Sequence, residues 1–256
     1  MEFIDTHAHI YLDSFEDDIS AVIQRAEGQG VSRIYLPNID SSSIGVMLDL
    51  EAEHPGYCFS LIGLHPCSVK EDFEAELNIM EQWLEKRVFA GIGEAGTDLY
   101  WDKTFKEQQI ETLKIQIQWA KRYGLPIILH SRNSLDLTIS LIEKSHSPGL
   151  TGIFHCFSGS LEQAEKIIEL GFYLGIGGVA TFKNSGLGAL LKNIPLKYIV
   201  LETDSPYLAP VPFRGKRNEP SFVLYTAGRL AEVYQLSIEE IANITTNNAR
   251  KIFKDA

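Results

Sequence analysis

Residues 125–130 read Leu125-Pro126-Ile127-Ile128-Leu129-His130, a strand-length run that is apolar on both faces and ends on an imidazole. A strand buried on both sides belongs in a parallel sheet covered by helices. The flanks agree. Before the run, Ile110, Leu113, Ile117 and Ala120 recur at helical spacing, and after it Leu135, Ile139 and Ile142 do the same. The unit repeats along the chain, with apolar runs near 3–7, 31–37, 58–64, 88–94, 125–130, 150–155, 172–177 and 198–204. Further helical stripes are Ile19, Val22, Ile23 and Ala26, then Ala164, Ile167 and Ile168 behind Ser160 as N-cap. The C-terminal stretch reads as helix, with Ser237 and Glu240 spaced as a capping box. Eight strand–helix units in 256 residues predict an α/β fold, a (β/α)8 TIM barrel, with residues 1–256 as one domain. The competing doubly wound sheet usually carries Gly-x-Gly-x-x-Gly after its first strand. That motif is missing there, and Gly175-Ile176-Gly177-Gly178 lacks its spacing.

Hydrophobic residues make up 45% and charged residues 22%, which excludes a disordered or low-complexity chain. No apolar stretch approaches the roughly 18 residues of a membrane span. Met1-Glu2-Phe3-Ile4-Asp5 carries neither the basic nor the apolar segment of an export signal. Three scattered cysteines (Cys58, Cys67 and Cys156) fit a reducing compartment, so a cytoplasmic location is expected. The net charge of −11 argues against a broad basic footprint. A polyanionic substrate would then be met by a local cationic patch or by bound metal ions.

The active site of such a barrel lies at the C-terminal ends of its strands. Six of the eight runs end in polar residues there: Asp5-Thr6-His7-Ala8-His9, Gly63-Leu64-His65-Pro66, Gly93-Glu94, Leu129-His130, Phe154-His155 and Glu202-Thr203-Asp204. Alternation puts His7 and His9 on one face, and stands Glu94 on Ile92, His130 on Ile128 and His155 on Ile153. A single His-x-His arises by chance, and a lone strand-end histidine is ordinarily a hydrogen-bonded core residue. Four histidines and two carboxylates gathered at strand ends need a cation to be tolerable, and they are ligands for Zn²⁺, Mn²⁺ or Fe²⁺. His54 and His146 precede turn sequences and read as solvated. Cys156, one residue past His155, reads as a buried thiol on the opposite face.

The segment 204–220 after the last run holds Arg214, Lys216 and Arg217 within four residues and is stiffened by proline. In an acidic chain this cluster reads as a phosphate grip, because guanidinium forks match phosphate oxygens. The competing reading is a solvated turn in which Glu219 balances one charge.

Phe3-Ile4-Asp5-Thr6-His7-Ala8-His9, Gly63-Leu64-His65-Pro66, Gly93-Glu94, Pro126-Ile127-Ile128-Leu129-His130-Ser131-Arg132, His155-Cys156-Phe157-Ser158-Gly159, Glu202-Thr203-Asp204-Ser205-Pro206-Tyr207-Leu208 and Arg214-Gly215-Lys216-Arg217-Asn218-Glu219-Pro220 together resemble the TatD family of metal-dependent deoxyribonucleases, within the amidohydrolase-like barrels. The resemblance implies one or two divalent cations on His7, His9, Glu94, His130, His155 and Asp204. It also implies phosphodiester hydrolysis at DNA 3′ ends. Some relatives instead remove D-amino acids from charged tRNA. The chain departs from the pattern at Cys67, where many members carry His, and at Ala95 and Thr97, where many carry bulkier residues.

The resulting expectation is a hydrolase with two divalent ions (Zn, Mn or Mg), cleaving single-stranded DNA from the 3′ end with water acidified by the metals. His7, His9 and Asp204 would hold one ion and His130 and His155 the other, with Glu94 bridging and Asp204 as general base. Arg214, Lys216 and Arg217, helped by Arg132, would hold phosphates. Asp5 and Glu202, facing inward by parity, and His65 would orient ligands. No membrane association and no obligate protein partner is expected. The alternative is a carbonyl hydrolase, either a D-aminoacyl-tRNA deacylase or an amidohydrolase acting on a small substrate.

Overall fold

A computed structural model describes residues 1–254; the last two residues of the expected single domain lie outside the described ones. The elements alternate as β1 (Phe3–Asp5), α1 (Ile19–Gly28), β2 (Val31–Leu36), α2 (Ile44–Glu53), β3 (Cys58–Ile62), α3 (Phe73–Lys86), β4 (Gly91–Asp98), α4 (Lys106–Tyr123), β5 (Ile127–Arg132), α5 (Leu135–Lys144), β6 (Gly152–Phe154), α6 (Leu161–Glu169), β7 (Tyr173–Ile176), α7 (Leu187–Leu191), β8 (Ile199–Leu201), α8 (Val223–Tyr234) and α9 (Ile238–Phe253). The eight strands pair in sequence order, all in parallel. The seam between β8 and β1 is closed beyond the strand ends. Thr6 N–H donates to Leu201 O at 3.1 Å, Asp204 N–H to His7 O at 2.9 Å and His9 N–H to Ser205 O at 2.8 Å. The (β/α)8 barrel read from the sequence is the fold. Among the described residues, no helix is long and apolar enough to cross a membrane.

Alternation along the strands produces two cores. Ile34, Ile62, Ile127, Leu129, Phe154, Ile199 and Leu201 face the helices. Ile4, Tyr35, Leu61, Ile128, Ile153 and Val200 fill the barrel, together with Ala249, Ile252 and Phe253 of α9. The Phe253 ring stacks on Tyr35 at 3.6 Å, so the C-terminal helix closes the end opposite the strand tips. Full burial of each such aliphatic side chain contributes about 1.5–3 kcal/mol. The helix starts follow the local sequence. Ser160 and Gln163 form a capping box on α6, and Ser237 and Glu240 form one on α9.

Two readings of strand parity are corrected. β4 begins at Gly91 and runs through Glu94 to Asp98, so Glu94 lies inside the strand rather than at its end. Ile92 packs in the outer core, not beneath Glu94 inside the barrel. Its register with β5 shifts between Ile92 and Ala95, and this irregularity turns Glu94 inward. Likewise Ile4 is the inward residue of β1, which places Asp5 on the seam. A bend at Thr6 then resets the alternation ahead of the two histidines. Cys156 is half-buried rather than buried. β6 ends at Phe154, and the chain turns through a left-handed φ of 48° at Cys156 into the β6–α6 loop.

Candidate metal centre

The C-terminal end of the barrel gathers His7, His9, Glu94, His130, His155 and Asp204, with His65, into three overlapping groups that meet at Glu94 and His7. Glu94 is the hub of this cluster, and its two oxygens face different ways. Oε2 lies 3.1 Å from His7 Nε2 and 3.3 Å from His9 Nε2. Oε1 lies 2.8 Å from His130 Nδ1, 3.2 Å from His155 Nε2 and 3.5 Å from His65 Nε2. Asp204 Oδ1 stands 3.7 and 3.8 Å from His7 Nε2 and His9 Nε2. His7 and His155 stack at 3.8 Å, which joins the two halves.

The surrounding groups decide which nitrogen of each ring is available. Tyr11 OH donates to Pro37 O at 2.5 Å, so it accepts from His9 Nδ1 at 3.0 Å and leaves the Nε2 lone pair facing Glu94. His130 Nε2 lies 2.9 Å from Asp98 Oδ2, which leaves Nδ1 facing Glu94. His155 Nδ1 lies 3.3 Å from Glu202 Oε1. That oxygen also accepts the Cys156 N–H at 2.6 Å. The carboxylate fits there because residue 175 is glycine; a Cβ on Gly175 would stand 2.1 Å from Glu202 Oε2. His65 behaves differently. Its Nδ1 accepts the Cys67 N–H at 3.0 Å, so Nε2 carries the proton and points it toward Glu94. His65 therefore faces Glu94 with a proton rather than a lone pair. Asp5 touches no imidazole. It accepts from the backbone of His7 and Thr203 and from the Thr203 hydroxyl at 2.6 Å, which ties β1 to β8.

The electrostatics show carboxylates and imidazoles balancing one another's charge. Burial alone would raise the Glu94 carboxyl, but the histidines outweigh it and hold the group well below its ordinary value. Burial opposes charge on His155, His130 and His65 as well, yet the facing carboxylates raise all three. His7, desolvated and beside His155, is lowered. Burial pushes Asp204 up to about 6 and Asp5 to about 8. His7 Nδ1, His155 Nδ1 and Glu202 Oε2 are buried with no hydrogen-bond partner, so Glu202 Oε1 faces His155 as an ion-pair neighbour only. His7 Nε2 and His9 Nε2 face each other at 3.1 Å. Two nitrogens on one tetrahedral Zn²⁺, each about 2.0–2.1 Å from it, would stand about 3.3 Å apart. The donor set fits a divalent cation beside Glu94.

Outside the cluster, the expected phosphate ligands divide. Arg217 is engaged in structure: its guanidinium meets Asp18 at 2.7 and 2.8 Å and Ser14 O at 2.6 Å, and it lies over the Phe15 ring. Beside it, Arg25 holds Glu219 at 2.6 Å and also reaches Asp18. These four charges staple the loop after β8 onto α1, and they set Arg217 apart from Arg214 and Lys216 among the expected phosphate ligands. Glu219 is thus balanced by Arg25 rather than by its loop neighbours. Arg214 and Lys216 are exposed, with no acidic partner among the described residues; Arg214 packs on Phe182. Arg132 is exposed on the opposite side, over Tyr100 at 3.9 Å. His54 is half-buried, short of the solvated state expected for it, and His146 is exposed.

Three neighbours of the cluster escape the sequence reading: Tyr11, Asp98 and Tyr207, whose ring meets that of His9 at 6.3 Å. Only Asp98 had a legible signal. Glu94, Gly96 and Asp98 share one face of a strand that continues past Glu94.

A parallel barrel whose strand tips gather imidazoles around a shared carboxylate defines the class of metal-dependent hydrolases. The model of the family described as "TatD related DNase" matches residues 4–254, and the chain belongs to that family. The uncharacterized metal-dependent hydrolase YabD of Bacillus subtilis (strain 168) is 38% identical over 251 residues, covering 98% of each chain. The uncharacterized metal-dependent hydrolase YjjV of Escherichia coli (strain K12) is 35% identical, over 98% of this chain and 97% of the relative. The crystal structure of that TatD homologue from E. coli K12 superposes with a TM-score of 0.92 at 34% identity, over 98% of both chains.

Proposed function

We propose that this hydrolase cleaves phosphodiester bonds of single-stranded DNA from the 3′ end. The observation that carries the reading is the division of Glu94, with Oε2 on the His7–His9 side and Oε1 on the His130–His155 side. One carboxylate shared between two donor sets is the arrangement suited to a pair of divalent cations, Zn²⁺, Mn²⁺ or Mg²⁺. His7, His9 and Asp204 would hold one and His130 and His155 the other. When bound, the pair would polarise phosphate oxygens and acidify a water between them. Histidine-rich donors favour the borderline metals over Mg²⁺.

The chain's own residues do the rest. Asp204 stands at the rim, 15% exposed, where its carboxylate can accept a proton from the attacking water. Asp98, Tyr11 and Glu202 keep the imidazoles turned toward Glu94. His65 donates to Glu94 and limits its swing. Arg214 and Lys216 offer unpaired positive charge near the mouth, and the acidic remainder of the chain repels distant parts of a long strand.

The deciding experiment presents the metal-stripped protein with single-stranded DNA and with D-aminoacyl-tRNA in parallel, restoring each metal in turn. Release of nucleotides from the DNA 3′ end supports the proposal. Deacylation without nucleotide release transfers the same centre to carbonyl chemistry and overturns it.

A further inference from the structure

We propose that the groove between the β5–α5 and β6–α6 loops is a nucleotide subsite for a single-stranded polynucleotide, in which Arg132 holds a phosphate and the Tyr100–Trp101 pair stacks the adjoining base. The proposal rests on the phosphodiesterase reading and assigns the substrate a path across the barrel mouth. The groove has a volume of about 650 Å³ and includes His155 in its wall, so it adjoins the metal centre. That volume falls within the roughly 300–1,000 Å³ of sites that enclose small molecules, room for a nucleotide and not for a duplex. Ser131, Asn133 and Ser158 supply hydroxyl and amide groups along it.

The groove is positive within an acidic chain. Arg132 and Lys106 line it, and neither has an acidic partner among the described residues. Its one carboxylate, Asp136, is already engaged by the Gln163 amide at 2.5 Å. The aromatic pair directly follows Leu99, which lines the groove, and packs against Arg132. Trp101 is 68% exposed and Tyr100 50%, among the largest apolar surfaces left in water. Their rings meet edge to face at 4.9 Å. The Arg132 guanidinium lies over both, 3.9 Å from Tyr100 and 5.1 Å from Trp101, while the same residue lines the groove. Aromatic rings with a guanidinium between them and a phosphate path are the means by which single strands are gripped without sequence preference.

The platform is rigidly tied to the metal centre. Asp98 Oδ1 accepts the N–H groups of Tyr100 and Trp101 at 2.9 and 3.2 Å, while Oδ2 holds His130. A base stacked there sits in fixed register with the cluster.

The test combines tryptophan emission with cleavage. The metal-loaded protein is titrated with a short phosphorothioate oligothymidylate. Cleavage of a single-stranded oligodeoxynucleotide is compared with that of bis(p-nitrophenyl) phosphate, which has no base. Saturable quenching that disappears in Trp101→Phe and weakens about tenfold in Arg132→Gln supports the subsite, as does a tenfold fall in the oligonucleotide-to-small-diester ratio of kcat/KM in Trp101→Ala. Tenfold corresponds to the loss of one stacked base. A wild type that cleaves DNA with no quenching, and with that ratio intact in Trp101→Ala and Arg132→Gln, overturns the subsite and leaves the phosphodiesterase reading standing. A wild type that cleaves neither substrate, yet shows quenching dependent on Arg132, keeps the subsite and overturns the activity.

Discussion

Asp98 Oδ2 sits 2.9 Å from His130 Nε2, and this contact selects Nδ1 as the nitrogen that faces Glu94. A carboxylate behind a ligating imidazole fixes its tautomer and raises its basicity. Asp98→Asn keeps the size of the side chain and removes its charge. Cation affinity at the His130 side should fall about 10–100-fold, as loss of such a partner typically does. Calorimetric titration of the stripped variant with Zn²⁺ or Mn²⁺ measures this without reference to turnover. Wild-type affinity would show that the contact is incidental.

Metal binding should release protons. His65, His130 and His155 all have their pKa raised by the carboxylates around Glu94, so the metal-free centre holds its protons to higher pH than free imidazole does. A cation on His130 and His155 must displace theirs. Affinity therefore rises as pH rises through 6.5 and beyond, and falls on acidification. Titrations in buffers of different ionisation enthalpy count the protons; a count of zero at pH 7 contradicts the arrangement.

Asp204→Asn tests the base. The substitution keeps the shape of the group and removes its proton affinity, so kcat should drop by a factor on the order of 10² or more. Metal content, measured by elemental analysis, must be checked in the same preparation. Near-normal kcat in a fully loaded variant would show that the proton goes elsewhere.

The loop after β8 should separate by residue. Arg214→Ala with Lys216→Ala should raise KM for DNA and flatten its dependence on salt. If Arg132, Arg214 and Lys216 each neutralise one phosphate, the log–log slope for the wild type is about −2, at about 0.7 per phosphate on single strands. Arg217→Ala should instead lower the melting temperature, because it removes the staple to Asp18. A salt slope that changes only in Arg217→Ala would reverse this division.

That staple also carries a pH signature. Hydrogen bonds from Arg217 hold the Asp18 carboxyl down at about 2, against an ordinary 3.8. A depressed carboxyl contributes stability that is complete above its unfolded value and is lost as pH falls through the folded one. The melting difference between wild type and Asp18→Asn should therefore be full at neutral pH and close between about pH 4 and pH 2. A difference that persists at pH 2 would mean that the charge is not what holds the loop.

Strand–helix rhythm and strand-end chemistry are properties of local sequence, and they were legible. Leu125–His130 already announces a strand buried on both faces with a polar tip, and seven similar runs make the barrel. The gathered side chains were readable for a related reason: each lies in or beyond the C-terminal part of its run, which the barrel converts into convergence, although Glu94 sits inside β4 rather than at its tip. What the chain could not disclose from its order alone depends on departures from regularity and on contacts between distant segments. The shift between Ile92 and Ala95 and the bend at Thr6 change which residues face inward, and a rule of strict alternation has no term for either. Asp98, Tyr11 and Glu202 choose among the ring nitrogens only because packing brings each within hydrogen-bond or ion-pair reach. Arg217 and Arg214 are three residues apart and look alike in sequence, but only Arg217 lies across from Asp18 of the chain leading into α1, 199 positions away, so tertiary structure alone decides which guanidinium is engaged and which remains open to a phosphate.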